Sequence, residues 1–346
     1  MNFSEEKPPL VTLIVFSYNQ ENYIRAAIEA AFAQTYSPLE ILLSDDCSPD
    51  RTFEIMEEMA AAYNGPHSIV LNRNATNGGI GAHFNRVMNL TSGELIALAA
   101  GDDISLPERT AVLVDHWLAH GKPSGMSSSG ILMNDEGKFF HESSAWGPLR
   151  NTRVPGWGLP RVKKMLPAEL VLHDFFLLGA AACWTKEIWN LFGELQPGVD
   201  NEDLVMSLRS SFSRGFHVIE KPLVHYRHRY LDLPPDYLDL EKRLPKINSA
   251  LVLALKNIVA DARKAHSLGL LDDEGLERLE DESLEKIRNL QLRAKWWQLS
   301  LRERISQSWS NLFHENLMFR IFGLLSISQY AAIRSFLAKS KRLIRL

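Results

Sequence analysis

Two hydrophobic rhythms alternate along the N-terminal part of the chain. Val11 to Phe16 is a continuous apolar, β-rich run that stops at Ser17-Tyr18-Asn19, which predicts a buried parallel strand leading into a helix. From Glu21 to Gln34, apolar residues recur at helical spacing through Ile24, Ala27, Ile28, Ala31 and Phe32. A second strand is expected over Glu40 to Ser44. A helix to about Tyr63 should follow, with Ser48 as N-cap and Pro49 at its first position. A third strand falls over His67 to Leu71, a helix over Ala82 to Leu90, and a fourth strand over Glu94 to Ala99. Strands alternating with helices of about 10–15 residues predict an α/β fold with a mainly parallel sheet covered on both faces.

Between Gly121 and Pro160 the rhythm weakens and glycine, serine and proline become frequent. That stretch reads as irregular loop with one hairpin, of the kind that gathers around a ligand. Regular signals return as a helix around Pro167 to Leu172, an apolar segment through Cys183, a helix from Glu187 to Phe192, another from near Asn201, and a strand at His217 to Ile219. After Pro234-Pro235 the pattern is almost wholly helical. The chain is thus divided into residues 1–235, one α/β unit, and 236–346, a helical C-terminal region.

Composition narrows the picture little. Of 346 residues, 45% are apolar and 23% charged, and the formal charge of −4 gives no reason to expect a nucleic-acid partner. Cys47 and Cys183 lack the spacing of a disulfide framework or zinc knuckle, and free thiols fit a reducing, cytoplasmic setting. No apolar run approaches the roughly 20 residues that span a bilayer.

Four acidic or basic groupings could carry chemistry. Asp45-Asp46 closes the second strand, where ligands of open parallel sheets bind; such acids also serve ordinary turns and helix N-termini. Asp102-Asp103 ends an apolar strand, which suits a divalent cation shared with phosphate oxygens, or simply caps the helix beginning near Pro107. Glu202-Asp203 falls in the first turn of a helix, where acids are common and where an ionised carboxylate can also act as a general base. His225 to Arg229 packs two imidazoles and two guanidiniums into five residues, a density that suits phosphate or a solvated loop. Gly78-Gly79-Ile80-Gly81 lacks the spacing of a dinucleotide fingerprint, and neither a P-loop nor a GxSxG elbow occurs.

The order of VTLIVFSYN, EILLSDDCSPD, Asn77 to Asn85, GELIALAAGDD, NED and PLVHYRHR closely resembles glycosyltransferase family 2 over about residues 10 to 230. The resemblance implies a GT-A fold and an inverting transferase that takes a nucleotide-diphosphate sugar, foremost a UDP-sugar, with Mg2+ or Mn2+. It places Ser17, Tyr18 and Asn19 beside the nucleotide, and Asp45 and Asp46 on base and ribose. Asp102, with Asp103 after it, would hold the metal and the donor diphosphate. Asp203 would be the catalytic base with Glu202 beside it, and Arg227 and His228 would lie near the diphosphate. Ala100 stands where the family has the first acid of its Asp-x-Asp, and His228 is displaced by one from the family's usual histidine. The implied acceptor is a glycan or polyprenyl-linked hydroxyl in surface polysaccharide assembly such as O-antigen or capsule. The rival readings are a nucleotide-sugar-binding protein without catalysis and a sugar nucleotidyltransferase.

From Ile305 to Leu346, six Lys/Arg face one acid, Glu315, beside Trp309, Phe313, Leu317, Phe319 and Phe322. A basic, aromatic, amphipathic segment fits the inner face of the cytoplasmic membrane as a peripheral contact. It equally fits a helix packed on the catalytic unit or on a second copy in a homodimer.

Overall fold

The computed structural model describes residues 7–139, 164–165, 178–227 and 237–296. The expected helix at 167–172, His228 and the basic tail lie outside them. The elements run β1 (Val11–Ser17), α1 (Ile24–Phe32), β2 (Leu39–Asp45), α2 (Thr52–Ala62), β3 (Ser68–Arg73), α3 (Gly79–Leu90), β4 (Leu95–Ala100), β5 (Ile104–Ser105), α4 (Arg109–Ala119), β6 (Gly125–Met133), β7 (Lys164–Met165), β8 (Ala182–Thr185), α5 (Lys186–Phe192), α6 (Glu202–Phe212), β9 (Phe216–Arg227), α7 (Tyr237–Ser267) and α8 (Asp273–Trp296).

The strands form one sheet in the order β3-β2-β1-β4-β8-β6-β9-β5, with β7 on β9. The half from β3 to β4 is parallel, and register aligns Ser17 with Asp45 and Phe16 with Ala100. Strand β8 runs antiparallel to β4 and β6, while β6 and β9 are parallel. Side chains of adjacent strand residues point to opposite faces. Leu13 and Val15 therefore join Ile24, Ile28, Ile55 and Trp117 in one core, and Ile14 joins Phe84, Trp184 and Met206 in the other. That second core continues without a break into Ala254, Leu255 and Ile258 of α7 and Leu279 and Ile287 of α8, so apolar packing crosses the expected division at residue 235.

Three local expectations are corrected. Ser48 does not cap α2: its backbone N–H donates to Asp45 Oδ2 at 2.9 Å and its hydroxyl is held by Asp45, so the helix starts at Thr52, after Arg51. The weak-rhythm stretch contains the nine-residue strand β6, nearly all of it buried. Its Gly-Met-Ser-Ser-Ser-Gly run hides the signal because small residues are required there. A Cβ on Gly125 would come within 2.5 Å of Ser210 Oγ. Finally, His225 to Arg227 end a 12-residue strand, β9, rather than a solvated loop.

Candidate active site

The parallel register places the ends of β1, β2 and β4 along one edge of the sheet, as strand polarity requires. At β1, Ser17 is buried and donates its hydroxyl to Ser44 O at 3.1 Å. Tyr18 is 47% exposed, and Asn19 turns the chain in the left-handed region at φ 55°, its N–H donating to Ser48 Oγ at 2.8 Å. An Asn tolerates that conformation better than most residues.

Asp45 and Asp46 at the end of β2 are buried and engaged by the chain's own donors. Asp45 takes the Ser48 contacts and has Arg73 Nε 3.5 Å away. Asp46 accepts from Asn74 Nδ2 at 2.7 Å, Gly78 N at 3.1 Å and Gly79 N at 2.9 Å. The glycine segment thus serves to bring bare amides to Asp46 at the start of α3. His83, absent from the sequence-based candidates, lies beneath: its Nε2 is hydrogen-bonded to Ser44 Oγ at 2.7 Å, and its ring stacks on Phe16 at 3.9 Å. Burial, only partly offset by Asp46, pushes it down to about 4, so it is neutral at physiological pH.

Around β4 the acids are placed differently. Gly101 turns the chain where a Cβ would strike Gln20 Oε1 at 2.4 Å, and its N–H donates to Phe16 O at 2.9 Å. The next residue, Asp102, is half-buried; Asp103 is 3% exposed. Asp103 Oδ1 accepts Arg227 N at 2.7 Å, but its Oδ2 is buried without a hydrogen-bond partner. Burial first, then the Asp102 charge, hold the Asp103 carboxyl well above the usual range, against the pull of Arg227 and of buried Arg109. Arg109 itself is spent on Ser105 Oγ at 2.9 Å and Leu98 O at 2.7 Å.

Arg227 anchors this corner. Its Nε donates to Asp102 O at 2.9 Å and its Nη1 to Asn134 O and Asp135 O at 2.8 and 2.7 Å, while the guanidinium lies 4.5 Å over the Tyr23 ring. Its donors therefore brace the turn after β6 against the turn after β4. Among the described residues no group of three or more His, Cys, Asp or Glu is arranged to hold a metal ion. Two carboxylates, one with an unpartnered buried oxygen, nevertheless fit a cation whose remaining ligands are phosphate oxygens and water.

Glu202 and Asp203 are half-buried in the first turn of α6, against Gly179, where a Cβ would sit 3.2 Å from Glu202 Oε1 and 3.4 Å from Asp203 Oδ2. Asp203 Oδ1 accepts Leu204 N at 2.7 Å. Burial first, then Asp203, raises Glu202 well above the carboxylate range, and burial lifts Asp203 to about 6 despite that hydrogen bond. Tyr226 connects the two acidic corners: after burial, the charges of Asp103, Asp102 and Asp203 all raise its phenol. Tyr226 and Gly179 were not singled out from sequence. The first was hidden between the more conspicuous His225 and Arg227, and the second gave no signal.

A mainly parallel α/β sheet with acidic pairs at its strand ends matches the model described as Glycosyl transferase family 2 over residues 12–153. That match covers less than half of the chain. EpsE of Bacillus subtilis (strain 168) is 34% identical over 128 residues, 37% of this chain and 45% of EpsE, so the match spans less than half of that relative. Among solved structures, S. aureus TarS residues 1–349 in complex with UDP overlays with a TM-score of 0.57, 14% identity, and coverage of 95% of this chain and 91% of that one. Mannosyltransferase PcManGT from Pyrobaculum calidifontis, in complex with GDP-Man and Mn2+, gives 0.54 and 16% identity over 96% and 88%. The fold is GT-A, with a helical C-terminal region in α7 and α8.

Proposed function

We propose that the chain is an inverting glycosyltransferase that moves a hexosyl or N-acetylhexosaminyl group from a nucleotide-diphosphate sugar to a glycan or polyprenyl-linked hydroxyl in surface polysaccharide assembly. The observation that carries this reading is that the Asp102-Asp103 pair and Asp203, which follows Glu202 at the start of α6, all act on Tyr226, in a chain whose residues 12–153 match the family 2 model. In this reading Ser17, Tyr18 and Asn19 line the nucleotide. Asp45 and Asp46 build its wall, since their oxygens already hold Ser48, Asn74, Gly78 and Gly79. Asp102 and Asp103 would hold Mg2+ or Mn2+ together with the donor diphosphate, where the ion would supply neutralising charge for the leaving group. Arg227 fixes both turns that border this place.

The acceptor hydroxyl attacks the anomeric carbon from the side opposite the diphosphate. A carbon–oxygen bond to the acceptor forms as the bond to phosphate oxygen breaks, and Asp203 takes the hydroxyl proton. A carboxyl lifted to about 6 is a stronger base than an ordinary one and is still ionised at neutral pH. UDP in the TarS structure and GDP-Man in that of PcManGT leave the base open. Incubation with a panel of UDP- and GDP-sugars and Mn2+, with product analysis, tests the reading. Turnover with inversion supports it; binding without turnover favours the non-catalytic rival, and sugar-nucleotide formation from a triphosphate the nucleotidyltransferase.

The membrane reading of residues 305–346 rests on their charge and aromatic pattern alone, and among the described residues no helix is long and apolar enough to cross a membrane. A chain cut before Trp309 should then release from anionic vesicles and lose activity on lipid-linked acceptors more than on soluble ones. Dissociation of a dimer with vesicle binding unchanged would move this segment to a subunit contact instead.

A further inference from the structure

Helices α6 and α7 meet through an apolar interface that contains a buried polar set with no place in the chemistry above. Arg209 of α6 forms a two-pronged pair with Asp261 of α7, Nε to Oδ2 at 2.7 Å and Nη2 to Oδ1 at 3.2 Å. Asn257 donates to Asp261 Oδ2 at 2.7 Å, and all three side chains are nearly inaccessible. Burial raises the Asp261 carboxyl and Arg209 only partly offsets it, so the pair is a costly way to join two helices. Well-packed apolar residues usually hold such an interface as firmly. A specifying role is the better account, and the geometry shows what is specified.

The set terminates on the loop that feeds α6. Arg209 Nη1 donates to Gly193 O at 2.6 Å, Asn257 Oδ1 accepts Gln196 N at 2.8 Å, and Lys264 Nζ donates to Phe192 O at 3.3 Å. A Cβ on Gly198, where the chain turns at φ 79°, would lie 3.2 Å from Leu253 Cδ1 of α7. From the other side α3 holds the same loop. Asn85 donates to Leu195 O at 3.0 Å and accepts Leu195 N at 2.9 Å, and Asp200 Oδ1 accepts Gly81 N at 3.2 Å. The loop passes so close to α3 that a Cβ on Gly81 would meet Val199 O at 1.8 Å. Two residues beyond Asp200 the chain reaches Glu202 and Asp203.

We infer that Asn257 and Asp261 of α7 are positioning residues, which fix through Arg209 and loop 193–200 where α6 begins and therefore where the Glu202-Asp203 pair stands relative to the Asp102-Asp103 corner. This rests on the reading of Asp203 as the base. It makes the first helix past residue 235 part of the reaction machinery rather than an attachment to it.

The test uses the full-length chain and its Asn257→Ala variant, each with and without Asp203→Asn. Turnover is followed as nucleoside diphosphate release from a nucleotide sugar the wild type consumes. Affinity is measured with UDP and GDP in the presence of Mn2+. Displacing a reacting group by about an ångström costs up to ~10²-fold, so Asn257→Ala should lower kcat by roughly 10- to 100-fold while nucleotide Kd stays within about twofold. In the Asp203→Asn background the same substitution should have no further effect on kcat, because the group it positions is gone. Equal losses of kcat and nucleotide affinity, or the same loss of kcat in both backgrounds, would overturn the inference. Should Asn257→Ala fail to fold, Asn257→Ser carries the comparison, and an unchanged kcat there also overturns it. If Asp203→Asn alone leaves kcat unchanged, the proposed base is what fails, whatever Asn257 does.

Discussion

Two acidic corners lie along the same edge of this sheet and look alike in sequence, yet they are satisfied in opposite ways. At the end of β2, Asp45 and Asp46 are buried among donors: a hydroxyl, an Asn amide, an arginine and three backbone N–H groups from Ser48, Gly78 and Gly79. At the end of β4 and the start of α6, Asp103 keeps a buried oxygen without a partner, and Asp103, Glu202 and Asp203 all have carboxyls raised chiefly by burial. A carboxylate that accepts several hydrogen bonds stabilises the loop that supplies them. One left in a dry corner beside another acid destabilises the ligand-free fold and is strained toward gaining a proton or a cation. The lesson is that adjacent acids at strand ends differ in what the fold leaves them: Asp45 and Asp46 are spent on loop donors, whereas Asp103 keeps one buried oxygen for a further partner.

Substitutions should split along this line. The largest effect belongs to Asp203→Asn, which should lower kcat by about 10²–10⁴-fold with donor affinity little changed. A loss of donor binding at an unchanged rate constant would move this residue to the nucleotide wall. Next comes Asp102→Asn, expected to cost about 10²–10³-fold in turnover and to blunt the response to added Mn2+; near-normal activity in steady-state assays would remove Asp102 from the diphosphate corner. Asp46→Ala should act on the other ledger. It leaves the Gly78 amide and the Asn74 side-chain amide without their acceptor, while Gly79 N keeps Asn77 Oδ1, at a cost of about 1–3 kcal/mol in urea unfolding, with kcat for bound donor close to that of the wild type.

The smallest effect is on the pH dependence of stability. With its pKa at about 6 against 3.8 for the free group, Asp203 contributes stability that is fully present below about 3.8 and is lost as pH rises through about 6. Without ligand, Asp203→Asn should therefore gain melting temperature relative to the wild type as pH rises from 4 to 6, with a constant difference above. A flat difference across that range would mean the carboxyl is already hydrated.

Much of this fold could be read in advance because its first half obeys strict periodicity. The apolar runs of β1, β2 and β4 and the spacing of Ile24, Ala27 and Ile28 belong to elements buried on one or both faces. Strand β6 escaped because a strand wedged between β8 and β9 needs small side chains, and Ser127-Ser128-Ser129 reads as loop. The helix α2 starts later than Ser48 and Pro49 suggest because Ser48 is consumed by Asp45, whose carboxyl takes both its N–H and its hydroxyl. In the site, the acids were visible as letters, but whether each had a donor was not. Asp46 meets Gly78 across 32 positions and Asp103 meets Arg227 across 124. The role of Asn257 is likewise a matter of which loop a helix rests on, and no local pattern carries that.

The central claim, that the α6 corner runs the chemistry, is tested most directly by the pH dependence of the single-turnover transfer rate constant at saturating donor and acceptor, measured for the wild type and for Asp203→Asn. The wild type should rise through an apparent pKa of about 6, a property of the Glu202-Asp203 pair as a unit, and then level off. Asp203→Asn should be low and lack that limb. A variant that keeps the limb, or a wild type whose rate constant is flat from pH 4 to 8, would contradict the account.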